Sequence, residues 1–297
     1  MEPVKKKQKQ GTEGKEGEGP SVAVPRESLL EACKRGATEQ EVRSLLEAVD
    51  WDWVDLNQAD GRGRTALMWA CSHGHQLGVI RALITEWHAA VNRGDGDGAT
   101  PLFFACQEGH LEVVRFLVTE AHAAVNQAMN DGATPLFYAC CYGHLELVRY
   151  LIAEAHAAVN QAAHDGEAPL YGACRGGHLE VVRYLVTEAH ADVNQANNDG
   201  DTPLYIAADR GYFGVIRHMA SASARLTRLD SAVWQNEQVL RALVQGCQDR
   251  LRPLLPSFLA DALVLPPGHG GLEPFLLPMV LEYALPATWV DVQEVLC

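Results

Sequence analysis

Four cysteines each stand four residues ahead of a histidine: Cys71 and His75, Cys106 and His110, Cys140 and His144, Cys174 and His178. On an unbroken helix that spacing stacks thiol and imidazole one turn apart on one face, where a thiolate and a neutral ring could share a zinc ion. The glycine immediately before each histidine, Gly74, Gly109, Gly143 or Gly177, ends the helix between the two partners. No further ligands stand at zinc-finger spacing, so no metal site is expected. Nor is there a Gly-x-Ser-x-Gly elbow, a Gly-Lys-Ser/Thr phosphate loop, or a nucleophile with a paired base that the repeated pattern leaves unexplained. The chain is expected to be non-enzymatic and to carry no cofactor.

The pairs recur because the whole chain does. Asn57, Asn92, Asn126, Asn160 and Asn194 are separated by 35, 34, 34 and 34 residues. Eight residues after each comes Thr65, Thr100, Thr134, Ala168 or Thr202, always two places before a leucine. A period of this length marks a solenoid of stacked units.

Each unit has its own start and stop signals. Thr100 can cap a helix through its hydroxyl, and Pro101 suits the first helical position, where no amide donor is needed. That helix stops near Gly109, and Leu111, Val113, Val114, Phe116, Leu117 and Val118 supply an apolar second helix. A polar stretch follows, ending at Asp131-Gly132, a dipeptide suited to the positive φ of a tight hairpin tip. The predicted unit is helix, turn, helix, hairpin.

Thr134-Pro135-Leu136, then Ala139, then Gly143-His144-Leu145-Glu146-Leu147-Val148, then Ala158-Val159-Asn160, resembles the ankyrin repeat. The resemblance covers residues 28–220 and implies an all-α helical-repeat solenoid with β-hairpin loops. Its units run over about 28–62, 63–97, 98–131, 132–165, 166–199 and 200–220. Residues 1–27 form a charged tail expected to be disordered, and 221–297 a helical C-terminal cap or adaptor segment. The resemblance also gives the cysteines a position usually held by buried alanine, and the histidines a bond to loop backbone. Where the family has histidine after Thr-Pro-Leu, this chain has Met68, Phe103, Phe137, Tyr171 and Tyr205, so that imidazole bond is missing. The phenylalanines and tyrosines of this column are expected to pack on neighbouring units rather than anchor a partner. The second helix runs one residue longer than usual, and His88, His122, His156 or His190 replaces the glycine that ends it. Histidine tolerates the left-handed conformation better than most residues with a side chain, so the cap should survive with some strain.

Stacked units set hairpin tips and first helices side by side on one concave face, and a protein partner is expected there. Residues that vary within the constant frame are the candidates for contact. On the hairpins these are Asp97, Asn130, Asp131, His164, Asp165, Glu167, Asn198, Asp199 and Asp201; on the first helices, Gln107, Glu108, Tyr142, Arg175, Asp209 and Arg210. The hairpin edge is acidic. Equally, Asp97, Asp131, Asp165 and Asp199 could serve only the hairpin turn, with the other positions having drifted.

The formal net charge is −14, of which the first 27 residues carry +1, residues 221–297 carry −3 and the repeats −12. An acidic solenoid repels nucleic-acid phosphates and anionic headgroups and favours a basic protein partner. No run of 18 apolar residues is present, and Met1 to Gly19 lack an apolar secretory stretch. Eight cysteines with no visible export signal fit reduced thiols in the cytoplasm or nucleus. The cluster Lys5-Lys6-Lys7-Gln8-Lys9 is read mainly as a solvated tail and secondarily as a nuclear-import signal.

Within residues 240–285, Leu243-x-x-x-Cys247-x-x-x-Leu251 and later Leu277-Pro278-x-x-Leu281-x-Tyr283 are similar to the SOCS-box pattern. In ankyrin proteins that box recruits an elongin-cullin ubiquitin ligase. The resemblance implies, as an alternative to a simple scaffold, a substrate receptor. The usual downstream Leu-Pro-x-Pro is missing.

Overall fold

The structure, a computed structural model, describes residues 28–48, 57–74 and 77–222, together with 238, 239, 242 and 245. His75, the tail 1–27 and most of the C-terminal segment, including the SOCS-like pattern apart from its neighbours Ala242 and Gln245, lie outside the described residues.

Six helix pairs follow one another among the described residues: α1 Leu29–Lys34 with α2 Glu39–Ala48, α3 Ala66–His73 with α4 Leu77–Thr85, and α5 Pro101–Glu108 with α6 Leu111–Thr119. They continue with α7 Pro135–Cys141 and α8 Leu145–Ala153, α9 Pro169–Gly176 and α10 Leu179–Thr187, and α11 Pro203–Asp209 and α12 Phe213–Ser221. First helices stack on first helices and second on second, giving a two-layered solenoid.

The first helices begin as their sequence predicts. The hydroxyls of Thr65, Thr100, Thr134 and Thr202 accept from the amides of Met68, Phe103, Phe137 and Tyr205 at 3.2–3.4 Å, and all four threonines are buried. At α9 Ala168 offers no such acceptor, and Pro169 alone presets the first turn. At α3 the Met68 sulfur accepts the Thr65 amide at 3.3 Å. The interior of this layer is small: Ala70, Ala105, Ala139, Ala173 and Ala207, followed by Cys71, Cys106, Cys140, Cys174 and Ala208, are all buried. Small side chains let the first helices pack on one another more closely than the second helices do, as the inner layer of a solenoid requires.

The turn between the helices needs glycine for two reasons. Gly109, Gly143 and Gly177 have φ of +80°, +78° and +74°. A Cβ on each would also sit 2.6, 2.4 and 2.6 Å from the ring of His144, His178 and Tyr212 in the next unit. At the far end of the second helix His88, His122, His156 and His190 do take φ of +53° to +57°, and the amide after His122 returns to Leu117 O at 2.8 Å.

The expected β-hairpins are tight turns rather than strands. Among the described residues the only bridge is Ala59 with Thr65. Successive tips are instead tied by one backbone bond each: Gly96 N to Arg62 O, Asn130 N to Asp97 O, His164 N to Asp131 O and Asn198 N to Asp165 O, at 2.7–2.9 Å. One backbone bond between neighbouring tips links successive units without building a sheet.

The repeating asparagines form a second ladder. Oδ1 of Asn57, Asn92, Asn126 and Asn160 accepts the backbone amide of Ala90, Ala124, Ala158 and Asp192 in the following unit, at 2.9–3.0 Å. Val239 is fully buried and Ala242 nearly so, and both join the core that runs through the repeats.

Candidate functional site: the inner face and its hairpin edge

The cysteine and histidine pairs serve the fold. Cys71, Cys106, Cys140 and Cys174 are buried, and burial pushes each thiol far above its ordinary value. His110, His144 and His178 reach back through Nε2 to the carbonyls of Ser72, Gln107 and Cys141 in the preceding unit, at 2.8–2.9 Å. A carbonyl can only accept, so Nε2 carries the proton. Among the described residues no three His, Cys, Asp or Glu side chains come close enough together to hold a metal.

Each hairpin tip has backbone amides to quench, and the units do so in two ways, one covering two amides and the other covering one. Where the fifth residue before the capping position bears an oxygen, it folds over the turn: Oδ1 of Asp60 accepts Arg62 N and Arg64 N, that of Asp95 accepts Asp97 N and Ala99 N, and that of Asn197 accepts Asp199 N and Asp201 N. In the two units between Asp95 and Asn197 that position is Met129 or Ala163, and the aspartate two residues on takes over. Asp131 Oδ1 accepts Ala133 N at 2.9 Å and Asp165 Oδ1 accepts Glu167 N at 3.0 Å. Asp131 and Asp165 therefore serve the turn, while Asp97 has been relieved of that task by Asp95. All of Asp97, Asp131, Asp165 and Asp199 are exposed, so the edge carries four carboxylates in four successive units.

The other candidate residues separate into groups. Asn130 and Asn198 bind tip to tip, their Nδ2 atoms donating to Gly96 O at 3.1 Å and His164 O at 2.8 Å. His164 itself is exposed, with its ring against Gly132. Asp201 is half-buried and Gln107 is half-buried, whereas Glu108 is exposed. Asp209 and Arg210 are both exposed and lie 3.8 Å apart as an ion pair.

Glu167 and Arg175 depart from the expected edge. Glu167 is buried and its carboxylate binds the Arg175 guanidinium, which also donates to Cys141 Sγ at 3.7 Å and lies over the Phe137 ring at 5.8 Å. The two charges neutralise each other, because eight residues along the chain bring helix and hairpin back against each other, and the Arg175 side chain stays partly exposed. Burial raises the Glu167 carboxyl, with Arg175 opposing. Burial likewise pushes the Cys141 thiol up to about 11 against the pull of Arg175, and Tyr171 up to about 12, helped by the Glu167 charge.

Four inner-face residues did not stand out from the sequence. Trp69, Phe104 and Tyr138 occupy one column, four residues after each capping threonine, in three consecutive units. Arg64 lies between the first two, its guanidinium carbon 5.3 Å from the Trp69 ring centre and 4.8 Å from that of Phe104, held by Asp95 at 3.5 Å. Tyr138 stacks on Tyr142 with centroids 6.4 Å apart and planes 24° from parallel, and touches Phe103 edge-on at 4.6 Å. Tyr142 is 52% exposed, the most exposed large apolar side chain described. Aligning that column in the repeat register would have found the stripe. The helix-start column Phe103, Phe137, Tyr171 and Tyr205 is buried, as expected for packing.

Residues 76–163, 119–197 and 155–230 each match the model of ankyrin repeats, together spanning more than half the chain. The chain belongs to the ankyrin-repeat family. Ankyrin repeats generally mediate protein–protein interaction, and on the first helices of this ankyrin protein side chains such as Trp69, Phe104, Tyr138, Gly172 and Ile206 differ from unit to unit. A search of curated proteins found no match. No helix among the described residues is long and apolar enough to cross a membrane.

Proposed function

We propose that this ankyrin protein is a scaffold or adaptor that holds a basic protein along its inner face, by binding without chemistry. One observation carries the proposal: Asp97, Asp131, Asp165 and Asp199 stand exposed at the same hairpin position of four successive units. Binding one turn amide leaves Asp131 and Asp165 their charge and a second oxygen. A row of like charges backed by a low-dielectric solenoid focuses field outward, which draws in a cationic partner and repels phosphate backbones and anionic membranes. The six free cysteines among the described residues fit a reducing compartment, the cytoplasm or nucleus.

The test is affinity capture with the intact chain at low and at high ionic strength. Captured proteins should be basic and should elute as salt rises through a few tenths molar, where the Debye length falls below about 5 Å. Partners retained equally at both would contradict an electrostatic edge.

A further inference from the structure

Arg64 shows what the inner face does with a cation. Its guanidinium is clamped between Trp69 and Phe104, and the Asp95 carboxylate, almost fully buried, fixes it. The chain thus fills its own aromatic slot between the second and third units. In the next two units the residue at the Arg64 position is Ala99 and then Ala133, so no cation of the hairpin reaches the following rings. There the column continues with Tyr138, and Tyr142 is laid over it from the end of the same helix.

We propose that the Tyr138–Tyr142 pair is the seat for a cationic side chain of the partner, an arginine before a lysine, which repeats in trans what Arg64 does in cis. The proposal rests on the acidic-edge function above and names the anchor within it. A flat guanidinium matches a stacked ring pair better than an ammonium does. Exposed Asp131 acts on the Tyr138 hydroxyl, with Arg175 acting in the opposite sense, and exposed Glu108 holds the register position of Tyr142 one unit earlier. Arg175 of the following unit lies over Phe137 and pairs with Glu167, and among the described residues no cation lies over the Tyr142 ring.

The experiment titrates the intact chain with labelled twelve-residue Arg/Gly, Lys/Gly and Glu/Gly peptides at low salt and reads affinity by anisotropy. The Arg/Gly peptide should bind most tightly and the Glu/Gly peptide not at all. Tyr142→Ala should weaken Arg/Gly binding about fivefold, and Tyr142→Phe, which keeps the ring, should restore it. Circular dichroism of each variant confirms the fold, which an exposed side chain should not disturb. Arg/Gly binding that is unchanged in Tyr142→Ala yet falls with salt would overturn the tyrosine seat and leave the acidic edge standing. Absence of binding by either basic peptide would overturn both.

Discussion

Along the second helices Arg81, Arg115 and Arg149 each pair with a glutamate of the following unit, Glu120, Glu154 and Glu188, at 2.7–3.6 Å. Each also covers a ring of that unit, Phe116, Tyr150 or Tyr184, at 4.5–4.6 Å. Along the first helices the corresponding column runs Trp69, Phe104, Tyr138, Gly172, Ile206, and among the described residues only its first two rings hold a cation. The outer layer repeats one contact until it is fully committed to stacking. The inner layer holds its helix starts constant and lets the side chains between them change. A solenoid gains stability from identical nearest-neighbour interfaces, so the outer layer's repeated contact contributes to stacking while the inner column varies.

The comparison can be broken most severely at the turn both layers share. Gly143→Val would force a β-branched residue to φ +78° and drive its Cβ to within 2.4 Å of the His178 ring. A loss of about 3 kcal/mol is expected in chemical denaturation. A loss below about 1 kcal/mol would mean that the imidazole and turn yield freely.

Next is the outer ladder itself. Arg115→Ala removes the exposed pair with Glu154 and the cover over the buried Tyr150 ring, and should cost about 0.5–1 kcal/mol without altering partner binding. An effect on binding with unchanged stability would place recognition on the outer layer and reverse the division.

The smallest effect lies where the ladder stops. In the last helix pair His218 stands where Phe116, Tyr150 and Tyr184 stand, and Ala222 stands in the glutamate position, so Arg183 pairs within its own helix with Glu180 at 3.6 Å. Burial, and then the Arg183 charge, hold the His218 ring below its ordinary 6.5. The folded chain therefore binds this proton less readily than the unfolded chain. Its stability contribution is complete above pH 6.5 and is lost as pH falls below that value. His218→Phe should lessen the drop in Tm between pH 7.5 and pH 5.5, and an identical drop would show that this ring is not its source.

The fold was legible because each element carried its own signal in register. Thr-Pro-Leu set the first helices, Gly-His-Leu-Glu the turns, and the replacement of glycine by His122 and its counterparts foretold a left-handed histidine that the structure has. The site was legible only in outline. That Asp131 binds its own turn while Asp97 does not depends on whether the residue two places earlier is Met129 or Asp95, a substitution effect visible only once the turn's acceptors are known. The burial of Glu167 depends on Arg175, which the helix brings back across the hairpin. Among the described residues the hairpins form no strands, because a single backbone bond links each tip to the next.

The most direct test compares two variants of equal charge change in affinity capture. One carries Asp97→Asn, Asp131→Asn and Asp165→Asn, which keep the Oδ1 acceptors of the turns; the other carries Glu112→Gln, Glu146→Gln and Glu180→Gln on the exposed starts of the second helices. Both should fold, the hairpin variant should lose the basic partners by tenfold or more, and the second-helix variant should keep them. Equal loss from both would reduce recognition to net charge, and loss from the second alone would contradict the assignment of the inner face.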